Sequence, residues 1–124
     1  MSKKTLFKGA TLINEGRAFA SDLLVGDDRS ENIAPAISAD EKTDVIDCEG
    51  HYLIPGMIDD QVHFREPGLT KKGDLPSESR ASVAGGTTSF MDMPNVKPST
   101  ITREALADKY ALAEGRCHAH YAFY

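Results

Sequence analysis

Four residues spaced two apart, Asp59, Gln61, His63 and Arg65, fall within the run from Met57 to Arg65. In a β-strand, side chains alternate between faces, so an acid, an amide, an imidazole and a guanidinium would share one side. Ile58, Val62 and Phe64 would share the other, with Asp60 as the exception. The apolar side suits packing under helices, and the polar row has the composition of a binding surface. A neutral imidazole on a rigid strand can ligate a metal, which makes His63 a candidate ligand, although a packed core histidine has the same sequence appearance. Arg65 carries a planar fork able to grip a carboxylate or phosphate with two hydrogen bonds, or to pair with Glu66 or another acid. Asn95 follows a second apolar run that ends in Asp92-Met93-Pro94. It would share a rim with Arg65 if the two strands were parallel neighbours, and by itself Pro-Asn reads as a turn.

Other reactive side chains carry weaker signals. His118 and His120 form an i, i+2 pair, but they open a third apolar run, which places them at the opposite rim as surface or structural residues. Cys48 and Cys117 are far apart and match no CxxC pattern, so they read as two reduced, buried thiols.

The elements that must position these residues fall into two groups. Up to about residue 50 the chain reads as short strands and turns. Leu6-Phe7-Lys8 and Thr11-Leu12-Ile13 lead to a turn at Asn14-Glu15-Gly16, and Leu23-Leu24-Val25 leads to another at Gly26-Asp27-Asp28. An edge at Asn32-Ile33 and Ala36-Ile37 and a short strand at Asp44–Asp47 follow. Beyond Gly50 the pattern changes to strand, helix, strand, helix, strand, the order of βαβ units around a parallel sheet. Ser77 is positioned to cap a helix running through Ala84 and stopped by Gly85-Gly86. Thr87 to Met93 is a second strand. Thr102 caps a second helix with Glu104 in its first turn, Leu106, Tyr110 and Ala113 on one face, and Gly115 at its end. His120 to Tyr124 is a third strand. The expected class is α/β, a partial (β/α)₈ barrel spanning 53–124 preceded by part of a small all-β sandwich spanning 1–52.

Composition narrows the function classes. The 124 residues are 40% hydrophobic and 27% charged, and 14 Lys and Arg against 19 Asp and Glu leave a net charge of −5. A mildly acidic chain without a basic run does not suit nucleic acid or an anionic membrane. Its apolar stretches fall far short of the ~20 residues a membrane span needs, and no signal-peptide core follows the basic N-terminus. The cytoplasm is the expected compartment. The length is about half that of a complete (β/α)₈ barrel, which takes about 250 residues.

Together the motifs resemble a known family. Pro55-Gly56-Met57-Ile58-Asp59, the HFREPGLT stretch from His63 to Thr70, Ala84-Gly85-Gly86-Thr87-Thr88 and Asp92-Met93-Pro94-Asn95 are similar to the first barrel strands and loops of dihydroorotases in the amidohydrolase superfamily. Allantoinases and dihydropyrimidinases share the Pro-Gly-x-Ile-Asp strand but usually lack the Arg. The resemblance implies interconversion of dihydroorotate and N-carbamoyl-L-aspartate in pyrimidine biosynthesis, with zinc as cofactor. It implies His63 as a metal ligand and Arg65 and Asn95 as the holders of the substrate carboxylate. Gln61 stands where the family has the first His of its metal pair, and an amide is a poorer zinc ligand than an imidazole. The family's catalytic residues and remaining ligands come from later strands, so no catalytic residue is expected in this chain. It is expected to be the front portion of a longer enzyme, inactive by itself. A non-catalytic scaffold partnering a transcarbamoylase is the alternative, and homo-oligomerisation stays open.

Overall fold

A computed structural model describes residues 3–124, which divide between Pro55 and Gly56 into two compact units. The first is all β: β1 (Lys4–Asn14), β2 (Arg17–Gly26), β3 (Arg29–Ala34), β4 (Thr43–Asp47) and β5 (Tyr52–Leu53). They form one mixed sheet in the order β3-β2-β1-β4, with β5 also pairing on β1. β1–β2 and β2–β3 are antiparallel hairpins, and β4 and β5 run parallel to β1. The first hairpin closes on Glu15-Gly16, both at positive φ (50° and 72°), the backbone of a type I′ turn.

The two strands expected at residues 6–8 and 11–13 are one strand interrupted by a bulge. The register of β1 on β2 shifts between Phe7 and Ala10, and Gly9 sits there at φ 72°. Asp22, only 4% exposed, holds the bulge: its carboxylate accepts from the Gly9 N–H at 2.8 Å and from the Ile37 N–H at 2.9 Å. That second bond fixes Ile37 in the loop after β3, so Ala36-Ile37 is not a strand edge. Leu6, Ala10 and Leu12 form the buried face.

The second unit runs β6 (Met57–Val62), α1 (Leu75–Ala84), β7 (Thr87–Asp92), α2 (Arg103–Ala113), β8 (His120–Phe123). Its sheet is parallel, in the order β6-β7-β8. The core joins Val62, Phe64, Leu75, Phe90, Ala113 and Phe123, with the Phe64 and Phe90 rings 4.5 Å apart. α1 packs on β7 and α2 on β8. β6 lies at the sheet edge without a helix of its own. This explains why Ile58, expected to pack under helices with Val62 and Phe64, is 69% exposed.

Helix α1 starts earlier than Ser77. Asp74 is the N-cap: its carboxylate accepts from the Ser77 N–H at 2.8 Å, and the Ser77 hydroxyl accepts in return from the Asp74 N–H at 3.2 Å. Asp outcompetes Ser because an ionised cap satisfies the helix N-terminus more strongly, and Ser77 completes a capping box from inside. In α2, Thr102 is the cap and accepts from the Ala105 N–H. Its inward face includes Ala113 and Leu106, but Tyr110 is 40% exposed and Lys109 is fully buried.

Candidate active site

The parallel pairing of β6 and β7 brings their C-terminal ends side by side. Val62 is in register with Asp92, and the Met93 N–H donates to the Val62 carbonyl at 3.0 Å. The residues just beyond each strand therefore share a rim. β6 ends at Val62, so His63 and Arg65 lie in the loop after the strand and not within it, unlike the expected run to Arg65.

His63 and Asn95, 32 residues apart in sequence, meet there: His63 Nδ1 lies 2.9 Å from Asn95 Oδ1. An amide oxygen only accepts, so Nδ1 is the donor of this bond, and in the neutral tautomer Nε2 is the nitrogen that carries the lone pair. The Asn95 amide nitrogen retains both its donors. His63, Asn95 and Gln61 are all exposed.

Arg65 is half-buried with its backbone at φ 70°, in the left-handed region. Among the described residues its guanidinium has no ion-pair or hydrogen-bond partner. Glu66, one partner the sequence suggested for it, is engaged elsewhere. The Arg116 guanidinium donates from Nη1 to Glu66 Oε1 at 2.9 Å and from Nη2 to Oε2 at 3.2 Å, and the Leu75 N–H donates to Oε2 at 2.9 Å. This bidentate grip also holds the Arg116 pKa above its ordinary value. On the other side of Arg65, the buried Phe64 N–H donates to Asp92 Oδ1 at 3.0 Å. Asp92 Oδ2 meets Lys109 Nζ at 2.7 Å, with both side chains fully buried.

The two rim loops are joined further out. The Lys97 N–H donates to the Pro67 carbonyl at 3.0 Å, and Gly68 lies so close that a Cβ there would stand 1.9 Å from the Lys97 carbonyl oxygen. A free cation on a loop braced from both sides is suited to binding an anionic group.

Metal-ligating capacity at this rim is small. A catalytic zinc takes about three protein ligands, whereas no group of three His, Cys, Asp or Glu among the described residues could hold a metal ion. His63 offers one donor, and the residues here do not compose a centre by themselves.

His118 and His120 are exposed at the N-terminal end of β8, the opposite end of the sheet from Asn95. They line an open concavity of about 360 Å³ with Cys117 and Thr88. The Cys117 thiol is free and half-buried, and burial pushes its pKa up, away from reactivity. Asp92, Glu66, Lys109 and Arg116 were not singled out from sequence as builders of the site. A signal existed for Lys109, which falls on the apolar face between Leu106 and Ala113.

No protein-family model matches the chain. Curated relatives include a dihydroorotase of Pediococcus pentosaceus, 42% identical over 83% of this chain and 24% of that protein. A Bacillus cereus dihydroorotase is 37% identical over 93% of the chain and 27% of its own length. An allantoinase of Bacillus velezensis is 36% identical over 100% of the chain and 27% of its own length. Among solved structures, the L-hydantoinase (dihydropyrimidinase) from Arthrobacter aurescens superposes with a TM-score of 0.90 at 28% identity, covering 97% of this chain and 27% of that one. The D-hydantoinase (dihydropyrimidinase) from Thermus sp. gives a TM-score of 0.82 at 28% identity, covering 97% of this chain and 27% of that one. The chain thus spans about a quarter of the length of the proteins it matches. A parallel βαβαβ unit with His63, Arg65 and Asn95 beyond its strand ends accompanies these likenesses, which make the chain a homologue of dihydroorotases and a structural neighbour of the hydantoinases of the amidohydrolase superfamily.

Proposed function

We propose that the chain is the N-terminal segment of a dihydroorotase, which hydrolyses the cyclic amide of dihydroorotate to N-carbamoyl-L-aspartate and reverses that step in pyrimidine synthesis. In this reading, 1–52 contribute to a small sandwich and 53–124 form the first strands and helices of a barrel. The observation that carries it is the unpartnered guanidinium of Arg65 on the rim where His63 and Asn95 meet. Dihydroorotate and its product both carry a carboxylate outside the bond that reacts. Arg65 grips that carboxylate with its fork, and the Asn95 amide nitrogen, left free because its oxygen serves His63, donates to the same group. Together they orient the ring against the site of attack.

His63 would offer one imidazole donor to a zinc whose other ligands the family resemblance assigns to later strands. Bound there, the metal would supply Lewis acidity and a nucleophilic water. The chain by itself is therefore proposed to be inactive. No helix among the described residues is long and apolar enough to cross a membrane.

A second reading rests on Gln61. An amide at the position of the family's first metal histidine is the substitution expected of a scaffold that has lost its metal and serves a transcarbamoylase. Metal content and turnover of the protein at full family length decide between the two, with N-carbamoyl-L-aspartate, allantoin and hydantoin compared as substrates. Turnover of the first with bound zinc supports dihydroorotase, and preference for another ring reassigns the substrate. A metal-free protein inert toward all three supports the scaffold. In the active protein, Arg65→Ala is expected to raise KM for N-carbamoyl-L-aspartate on the order of a hundredfold, and wild-type kinetics in that variant would remove Arg65 from the site.

A further inference from the structure

We propose that Lys109 and Arg116, on helix α2 and just beyond it, are positioning residues that set the backbone of Arg65 and so aim its guanidinium. This role rests on the reading of Arg65 as an anion clamp.

A non-glycine residue at φ 70° persists only where its surroundings hold it. Here both neighbours are tied, and both ties lead to α2. On one side, Phe64 donates its N–H to Asp92 Oδ1 at 3.0 Å, and Lys109 Nζ holds the other oxygen of that carboxylate at 2.7 Å. Lys109 Nζ also donates to the Met93 carbonyl at 3.4 Å, two residues before Asn95. On the other side, Glu66 is gripped by both terminal nitrogens of Arg116, and Arg116 Nη1 is anchored in turn on the Leu112 carbonyl in the last turn of α2 at 2.9 Å. The Glu66 carboxylate also receives the first N–H of α1, from Leu75. Residues 64 and 66 are thereby tied to α2 and the turn that follows it, and the Arg65 backbone is held between the two ties.

Stability alone does not account for the Lys109–Asp92 pair. Taking two charges fully out of water roughly cancels their attraction, and an apolar pair of similar volume would serve the core as well. What an apolar pair lacks is a carboxylate oxygen held rigidly under the Phe64 N–H.

The test uses the ¹⁵N-labelled chain, with N-carbamoyl-L-aspartate as probe. Four quantities are followed: the dissociation constant, the Arg65 backbone and Nε resonances, hydrogen exchange of the Phe64 amide, and the thermal midpoint. Arg116→Met is expected to weaken binding on the order of tenfold and to move the Arg65 resonances. Arg116→Lys, which keeps the charge but not the fork, should lose less. Lys109→Met should accelerate exchange at Phe64 and weaken binding similarly. Should Lys109→Met fail to fold, the Arg116 pair carries the test, since that side chain is partly exposed. Tyr121→Leu, a core change away from the rim, should lower the midpoint and leave binding unchanged. If Arg116→Met lowers the midpoint while binding, Arg65 and Phe64 signals stay at wild-type values, the positioning role is overturned. If Arg65→Ala binds the probe as well as wild type, the clamp reading fails instead. The Arg65 and Phe64 signals of the two α2 variants then decide the backbone hold alone, shifted in its favour and unshifted against it.

Discussion

Arg65 and Gly68 show how much of this site hangs on single backbone positions. Gly68 is at φ 81°, and its missing side chain is what lets the loop after β6 close on Lys97. Gly68→Ala would combine a strained φ with a Cβ inside the radius of a carbonyl oxygen, so the loops must part. A loss of about 1–3 kcal/mol in denaturant unfolding is expected, and an unchanged free energy would mean the loops do not meet there. The residue types at the rim were legible: His63, Arg65 and Asn95 are the side chains that sequence reasoning selected. Their arrangement was not. Strict alternation puts His63 and Arg65 on one strand face, but pairing with β7 ends at Val62, and beyond it the chain turns through a left-handed residue. Nor did the local pattern show that Arg116, 50 residues on, takes the Glu66 carboxylate and leaves Arg65 free.

At the level of elements, short-range signals performed well where the satisfying groups are close in sequence. Thr102 caps α2 as its position before Glu104 suggests. Thr102→Ala should cost about 1 kcal/mol while Thr102→Ser costs little, read from thermal or urea unfolding. Equal stability of all three would mean the hydroxyl contributes nothing to the helix. The runs 6–8 and 11–13 are one strand, because the bulge at Gly9 between them is stabilised from outside by Asp22. The Gly9 N–H, and then the Ile37 N–H, hold the Asp22 carboxyl below its ordinary 3.8 by favouring the charged form. With the folded value depressed, the stabilisation is complete above the unfolded value of 3.8 and is lost as pH falls through the lower folded value. Acid unfolding followed by circular dichroism should accordingly be shallower below about pH 4 in Asp22→Asn than in wild type. Parallel acid limbs would show that Asp22 does not titrate differently on folding.

For the molecule as a whole, the second unit depends on a small core, with Phe90 at its centre, 1% exposed and in contact with the Phe64 ring. Phe90→Ala should cost about 3–5 kcal/mol, enough to unfold a unit of this size, and tryptic digestion should then cleave residues 56–124 rapidly. Survival of that segment would place the core elsewhere. Sequence alone determined the order of elements after Gly56, the α/β class, the capping of α2 and which residue types could bind an anion. These follow from alternation, helical period and turn chemistry, all of which act within a few residues. Tertiary structure decided which carboxylate pairs with which cation, that a lysine is buried whole beside Asp92, and that Ile58 stays exposed while Val62 does not. Those outcomes depend on where helices settle over strands, and they join residues tens of positions apart whose desolvation and pairing no local pattern encodes.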